Sequence, residues 1–218
     1  MALSKRLSAI ASMVTIEYDE IWDCCCDHGF LGIELLKQNK APKIHFVDIV
    51  PELMQSLRNV LERFSTDKQR TAWQVHCQDV ARIELSPNKR HLVIIAGVGG
   101  DLLVQFLSQI VLRNPHCQID FAVCPVHHSY KVRSHMQTLN MGLVDEQIIC
   151  ENKRFYEVIA VSTLSSEPLS RTGTNMWQLS RKEHKAYLQQ LPAHYGRMLN
   201  QDAEYYQGVL DEYKALDC

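Results

Sequence analysis

The hydrophobic pattern changes period again and again along this chain, and that alternation limits the folds open to it more than any other feature. The segment LSKRLSAIASMV puts Leu3, Leu7, Ile10 and Val14 on one helical stripe, with Ser4 suited to its start. EIWDCCC then reads as a strand, FLGIELLKQN as a helix, and KIHFVDI as a buried strand. PELMQSLRNVLERF is helical, with Pro51 in the first turn, where a missing amide costs nothing. AWQVHCQDV and HLVIIAGVGG supply a third and a fourth strand. DLLVQFLSQIVL is a helix, QIDFAVCP a fifth strand stopped by Pro125, and SYKVRSHMQTLN a helix ended by Gly142. Two consecutive strand patterns follow, LVDEQIICE and RFYEVIAVS, with Asn152 and Lys153 between them as a hairpin turn. Strands that alternate with helices need crossover connections, which predicts a parallel sheet covered on both faces, here with an antiparallel hairpin at one edge.

After Ser162 the texture changes. TLSSEPLSRTGTN is rich in Ser, Thr, Gly and Pro and has the composition of a linker. Beyond it, MWQLSRKEHKAYLQQL and PAHYGRMLNQDAEYYQGVLDEYKAL read as two long polar helices with sparse apolar stripes. The expected division is an α/β domain over residues 1–163 and a helical, coiled-coil-like appendage over 164–218, packed on the domain or on another subunit.

Composition narrows the partners. With 46% hydrophobic and 22% charged residues, the 218-residue chain reads as a cytoplasmic globular protein. It has no apolar run near the roughly 20 residues of a membrane span and no recognisable export signal. Its eight cysteines are then expected to be reduced. A net charge of −2 argues against coating nucleic acid over the whole surface. It leaves room for local basic clusters at Lys5/Arg6, Lys131/Arg133, Lys153/Arg154 and Arg181/Lys182/Lys185.

The loop DCCCDHGFLG, Asp23 to Gly32, poses the main chemical choice. Strand alternation would set Cys24 and Cys26 on one face and Cys25 on the other, a poor chelate, and neither a second cysteine pair nor C-x-x-C spacing accompanies them. The expectation is therefore no metal. A cofactor loop fits better, because the segment is the first strand-to-helix turn of an open α/β sheet, where ligands bind. Asp48 closes the second strand, where a carboxylate accepts both ribose hydroxyls of a nucleoside or caps the following helix. Asp79 closes the third and could accept from an adenine amino group. AGVGG after the fourth is either the floor by which a base enters or a tight turn. No G-x-G-x-x-G is present, which disfavours a pyrophosphate-bearing dinucleotide.

Taken together, LSKRLSAIASMV, DCCCDHGFLGIELL, VIIAGVGGDLL, the Cys124-Pro125 pair and NKRFYEVIAV resemble, in order, the bacterial tRNA (adenine-22-N1)-methyltransferases, a class I family dependent on S-adenosylmethionine. Departures lie in the loops: Cys25 stands where the family has glycine, Cys124 where it has glutamine, and Val126-His127 where an asparagine is common. The resemblance implies a Rossmann-like class I methyltransferase fold and S-adenosyl-L-methionine as cofactor. It implies cofactor contacts from Asp23, Asp27, His28, Gly29, Asp48, Ile49, Gln78, Asp79, Val80, Ala96 and Gly97. It also implies tRNA as partner, with substrate contacts from Lys5, Arg6, Gly99, Gly100, Arg133, Lys153 and Arg154. In the implied reaction, adenine N1 attacks the sulfonium methyl with no enzyme nucleophile. Asp27 is the candidate catalytic residue, as proton acceptor or as ligand of the methionine amino group. Two alternatives remain open from the residues: a methyltransferase acting on a small molecule or protein, and a non-catalytic binding module. A nicotinamide oxidoreductase is a more distant one.

Overall fold

The computed structural model describes residues 3–64, 66 and 69–217; the outer limits of the two expected segments, 1 and 218, lie outside them. Among the described residues, seven strands form one sheet in the order β3-β2-β1-β4-β5-β7-β6. Strands β1 (Glu20–Cys24), β2 (Lys43–Asp48), β3 (Trp73–Cys77), β4 (Arg90–Ala96) and β5 (Gln118–Cys124) run parallel. The hairpin of β6 (Gly142–Glu151) and β7 (Arg154–Ser162) adds the antiparallel edge, β7 lying against β5. Its turn is Asn152-Lys153, both at positive φ (50° and 61°), the backbone pattern of a two-residue type I′ turn. The class I methyltransferase arrangement expected from the sequence is present.

Helices cover both faces. α1 (Lys5–Met13), α2 (Phe30–Lys37) and α3 (Pro51–Phe64) bury Ile10, Leu35 and Leu57 against Ile21, Ile44 and Ile94. On the other face, α4 (Gly100–Arg113) and α5 (Ser129–Thr138) bury Leu103, Leu107, Val132 and Met136 against Trp22, Val93 and Val123. Each β-branched or leucine side chain so buried contributes roughly 1.5–3 kcal/mol, which is why the central strands are apolar on both sides. Strand order reverses between β1 and β4, so the loops at the carboxyl ends of these strands diverge and open a crevice.

The carboxyl half holds the main departures from expectation. Residues 176–181 are not helical, α6 is Lys182–Gly196, and Pro192 sits inside it instead of starting a second helix. Proline there leaves the Leu188 carbonyl without its helical partner, yet burial of Leu188, Leu191 and Tyr195 holds the helix together around it. The chain turns only at residues 197–202, where the Asp202 side chain accepts from the Tyr205 amide and starts α7 (Ala203–Lys214). α6 and α7 pack on each other and on Tyr130 of α5 through Tyr195, Val209, Leu210 and Tyr213. The linker-like stretch is a pinned strap: Glu167 O accepts from Leu143 N at 2.9 Å, and the Glu146 carboxylate accepts from the Thr174 and Asn175 amides at 2.6 Å.

Candidate functional site

The loop after β1 departs from a regular strand at once. Cys25 (φ 54°) and Asp27 (φ 51°) both occupy the left-handed region. The expected alternation of the three cysteines therefore fails: Cys24 and Cys25 pack with the α4–α5 face, and Cys26 with the other. Burial pushes the thiols up, Cys25 to about 12, further aided by Asp48, Asp23 and Asp79, so they carry no thiolate character. Asp23 is buried, and its carboxylate accepts from the Gly32 amide at 2.8 Å, tying the loop to the first turn of α2. Gly29, at φ 68°, starts that helix.

Hydrogen bonds stitch this loop to its neighbours. Asp48 accepts from the Asp27 amide and from the Val50 amide, each at 3.1 Å. Gln78 N donates to Asp48 O at 3.0 Å, and Asp79 accepts from Ala81 N, starting a short 3-10 turn over Val80–Arg82. Beside these loops lies a cavity of about 250 Å³, lined by Arg6 and Leu7 of α1, residues 23–28, Phe30, Leu31, Ala96 and Gly97. Five expected cofactor residues, Asp23, Asp27, His28, Ala96 and Gly97, thus share one wall. Gly29, Asp48, Ile49, Gln78 and Asp79 flank it without lining it. The Val80 side chain is buried in the core with Ile83 and Leu85, so a ligand would meet its backbone.

A second hollow, a groove of about 760 Å³, adjoins the carboxyl end of β5. Pro125, Val126, His127 and His128 form one side, Lys153, Arg154, Phe155 and Tyr156 of the hairpin another, and Tyr187, Leu191, His194 and Arg197 of the α6 segment a third. Among the described residues no aspartate or glutamate lines it, although the chain as a whole is acidic. Cavity and groove share a rim. Gly97 N donates to Cys124 O at 3.1 Å and Val126 N to Val98 O at 2.9 Å, while Arg6 of the cavity stacks 4.8 Å over Tyr156 of the groove.

The expected substrate residues divide. Lys153 and Arg154 lie in the groove, Lys5 is exposed on α1, and Arg6 belongs to the cavity wall. Arg133 is corrected: its side chain is fully buried, 2.7 Å from both Glu146 and Glu157, and no phosphate can reach it. Glu157 belongs to that buried set. Gly99 and Gly100 line neither hollow; a Cβ on either would come within 2.8 Å of His127 or His128, so they are glycine because the β5–α5 loop packs on them. Sequence reasoning missed Tyr187, Gln190, Leu191 and His194 as groove residues. Their i, i+3, i+4, i+7 spacing on α6 was a readable stripe, obscured by placing a helix boundary at Pro192.

These features define an open α/β nucleoside-binding fold with a ligand crevice at its strand switch point. The family described as methyltransferase domain matches residues 3–159, and the chain belongs to it. A Mycoplasma pneumoniae protein provisionally named a tRNA methyltransferase is 24% identical over 169 residues, covering 76% of this chain and 74% of its own. Among solved structures, the M. capricolum TrmK complex with the cofactor product S-adenosyl-homocysteine superposes with a TM-score of 0.77 at 17% identity, covering 99% of this chain and 98% of that one. The B. subtilis M1A22 tRNA methyltransferase TrmK gives 0.74 at 19% identity, covering 98% and 95%. At such identities the structural likeness concerns the fold, appendage included.

Proposed function

We propose that this protein is an S-adenosylmethionine-dependent methyltransferase acting on N1 of an adenine in tRNA. The observation that carries the reading is the pair of hollows with opposite chemistry on one rim: an acid-bearing cavity at the switch point and an acid-free, cationic and aromatic groove beside it. Asp23, Asp27 and Asp48 in and around the cavity suit a ligand with an ammonium and ribose hydroxyls, and repel a pyrophosphate. When bound, S-adenosylmethionine supplies a methyl group activated by a sulfonium. The residues of the chain then act by positioning. The stitched loops fix the crevice, and the Asp27 carboxylate, 67% exposed at the cavity mouth, is free to take a ligand proton or hold an ammonium. The groove has Phe155, Tyr156 and Tyr187 to receive an unstacked base, and Lys153, Arg154 and Arg197 to meet phosphates. N1 lies on the Watson–Crick edge, so the base must leave its pair to enter.

In this reading residues 164–218 form the arm that completes the groove, and the enzyme works in the cytoplasm, where tRNA is modified. Relatives named as tRNA methyltransferases support the same substrate. The test is methyl transfer from labelled cofactor to unmodified tRNA and, separately, to a metabolite extract, with mapping of the methylated nucleotide. Label at adenine N1 of tRNA is expected. Label only in the extract would overturn the choice of substrate, and no cofactor binding at all would overturn the enzyme reading.

A further inference from the structure

Between β6, at the free edge of the sheet, and the start of α6 lies a further hollow of about 350 Å³, which shares no lining residue with the cavity or the groove. His184 lines it and is 3% exposed. Its Nδ1 accepts from the Gln178 amide at 3.0 Å. Burial and then the charge of Arg181 lower the pKa of the ring, against Glu183 and the nearby Met176 carbonyl, so the ring is neutral near pH 7. A neutral imidazole whose Nδ1 accepts carries its one proton on Nε2. That Nε2–H is buried without a hydrogen-bond partner. A buried donor left unpaired destabilises a fold, and such a donor is kept where a ligand accepts from it.

The start of α6 borders the same hollow. Arg181 is its N-cap residue and supplies no capping side-chain bond, so the amides of Lys182, Glu183 and His184 open a 15-residue helix without a side-chain acceptor. The helix dipole adds partial positive charge there. Two cations complete the surround: Lys5 and Arg181 line the hollow, and among the described residues neither side chain makes an ion pair. The Lys5 amide fixes that residue in place by donating to Glu151 at 2.6 Å. Of the carboxylates in the wall, Glu146 is spent on Arg133 and the strap amides, and Glu183 is exposed on the first helical turn. Unspent donors and positive charge therefore outnumber the acceptors.

We infer that this hollow binds a phosphate group, held by His184 Nε2–H, the first amides of α6, Lys5 and Arg181. Phosphate carries several strong acceptor oxygens that point in different directions, which matches donors converging from an imidazole, a helix end and two cations. The phosphodiester of an RNA backbone and the phosphate of a small metabolite share this chemistry. No step of methyl transfer passes through the site, so a failure of the cofactor reading leaves it standing.

The experiment is titration of the full chain with inorganic phosphate at constant ionic strength and neutral pH, followed by the imidazole nitrogen resonances, with His184 assigned by the signal lost in His184→Gln. The His184 Nε2 resonance should shift saturably. Arg181→Asp puts a capping carboxylate on the free amides, so it should melt no lower than the wild type yet bind phosphate at least about tenfold more weakly. Two arms separate the sources. If the phosphate is that of an RNA backbone, unmodified tRNA should move the same resonance, and Lys5→Ala should flatten the salt dependence of tRNA binding by about 0.7–0.9. If it is that of a small metabolite, inorganic phosphate alone should move the resonance and the tRNA slope of Lys5→Ala should match the wild type. A His184 resonance that responds to neither inorganic phosphate nor tRNA, or responds equally in the wild type and Arg181→Asp, would overturn the site.

Discussion

Arg133 Nε donates to Glu157 Oε2 at 2.7 Å with both side chains fully buried, and this pair joins the β-hairpin to α5. Glu146 approaches the same guanidinium at 2.7 Å, and Tyr187 of α6 donates to Glu157 at 2.8 Å. Burial by itself would raise the Glu146 carboxyl; Arg133 and the strap amides of Thr174 and Asn175 more than offset that and hold it low. Removing the cation would strand two carboxylates in the core. Arg133→Met should therefore cost at least about 3–5 kcal/mol in chemical denaturation. It should also expose the strap at 165–181 to protease before the rest of the chain. Cleavage no faster than in the wild type would show that the strap is held by other contacts.

The carboxyl of Asp23 is pushed up to about 7, mainly by burial, with the Gly32 amide pulling it down and Asp48 raising it further. In an unfolded chain an aspartate titrates near 3.9, so the folded state binds this proton more tightly. Its contribution to stability is complete below about pH 4 and is lost as the pH climbs through about 7. Asp23→Asn keeps an acceptor for Gly32 and removes the titration. The stability of the wild type relative to Asp23→Asn should therefore fall between pH 4 and pH 8, by up to about 4 kcal/mol. Urea denaturation at the two pH values measures it, and an equal difference at both would mean Asp23 ionises freely.

Much of this was readable from period and punctuation. The strands near Ile21, Phe46 and Ile94 are apolar because both of their faces are covered, and Pro51 and the Asn152-Lys153 turn marked boundaries that the structure keeps. What the sequence hid came from tertiary choices that local rules do not encode. Pro192 reads as a helix start, but packing of Leu188 and Tyr195 outweighs its cost. Arg133 reads as a surface cation beside Lys131, because nothing nearby in sequence announces Glu146 and Glu157. Arg6, likewise adjacent to an exposed lysine, faces the cavity because α1 packs against the sheet there.

Cys25 offers a test of backbone strain at the cofactor loop. At φ 54° an L side chain costs on the order of 1 kcal/mol, offset by its packing against the core. Cys25→Gly removes both, so stability should change by less than about 1 kcal/mol and cofactor binding should persist. Cys25→Val adds β-branching in the same conformation and should lose more than about 2 kcal/mol. Thermal melts of the three proteins decide it: equal melting for valine and glycine would mean the loop relaxes out of the left-handed region.

The groove makes the last prediction electrostatic. Lys153, Arg154 and Arg197 line it with no carboxylate beside them among the described lining residues, so phosphates entering it release counterions. Each phosphate contact contributes about 0.7–0.9 to the slope of log affinity against log salt concentration. Lys153→Ala and Arg154→Ala should each weaken tRNA binding and flatten that slope by nearly one, and the double variant by nearly two. Lys131→Ala is the control, because its ammonium lies 2.5 Å from Asp101 and outside the groove. Its slope should match that of the wild type. Slopes that fall equally for Lys131→Ala and Arg154→Ala would mean the RNA responds to the overall field of the protein, and the groove would lose its claim to the backbone.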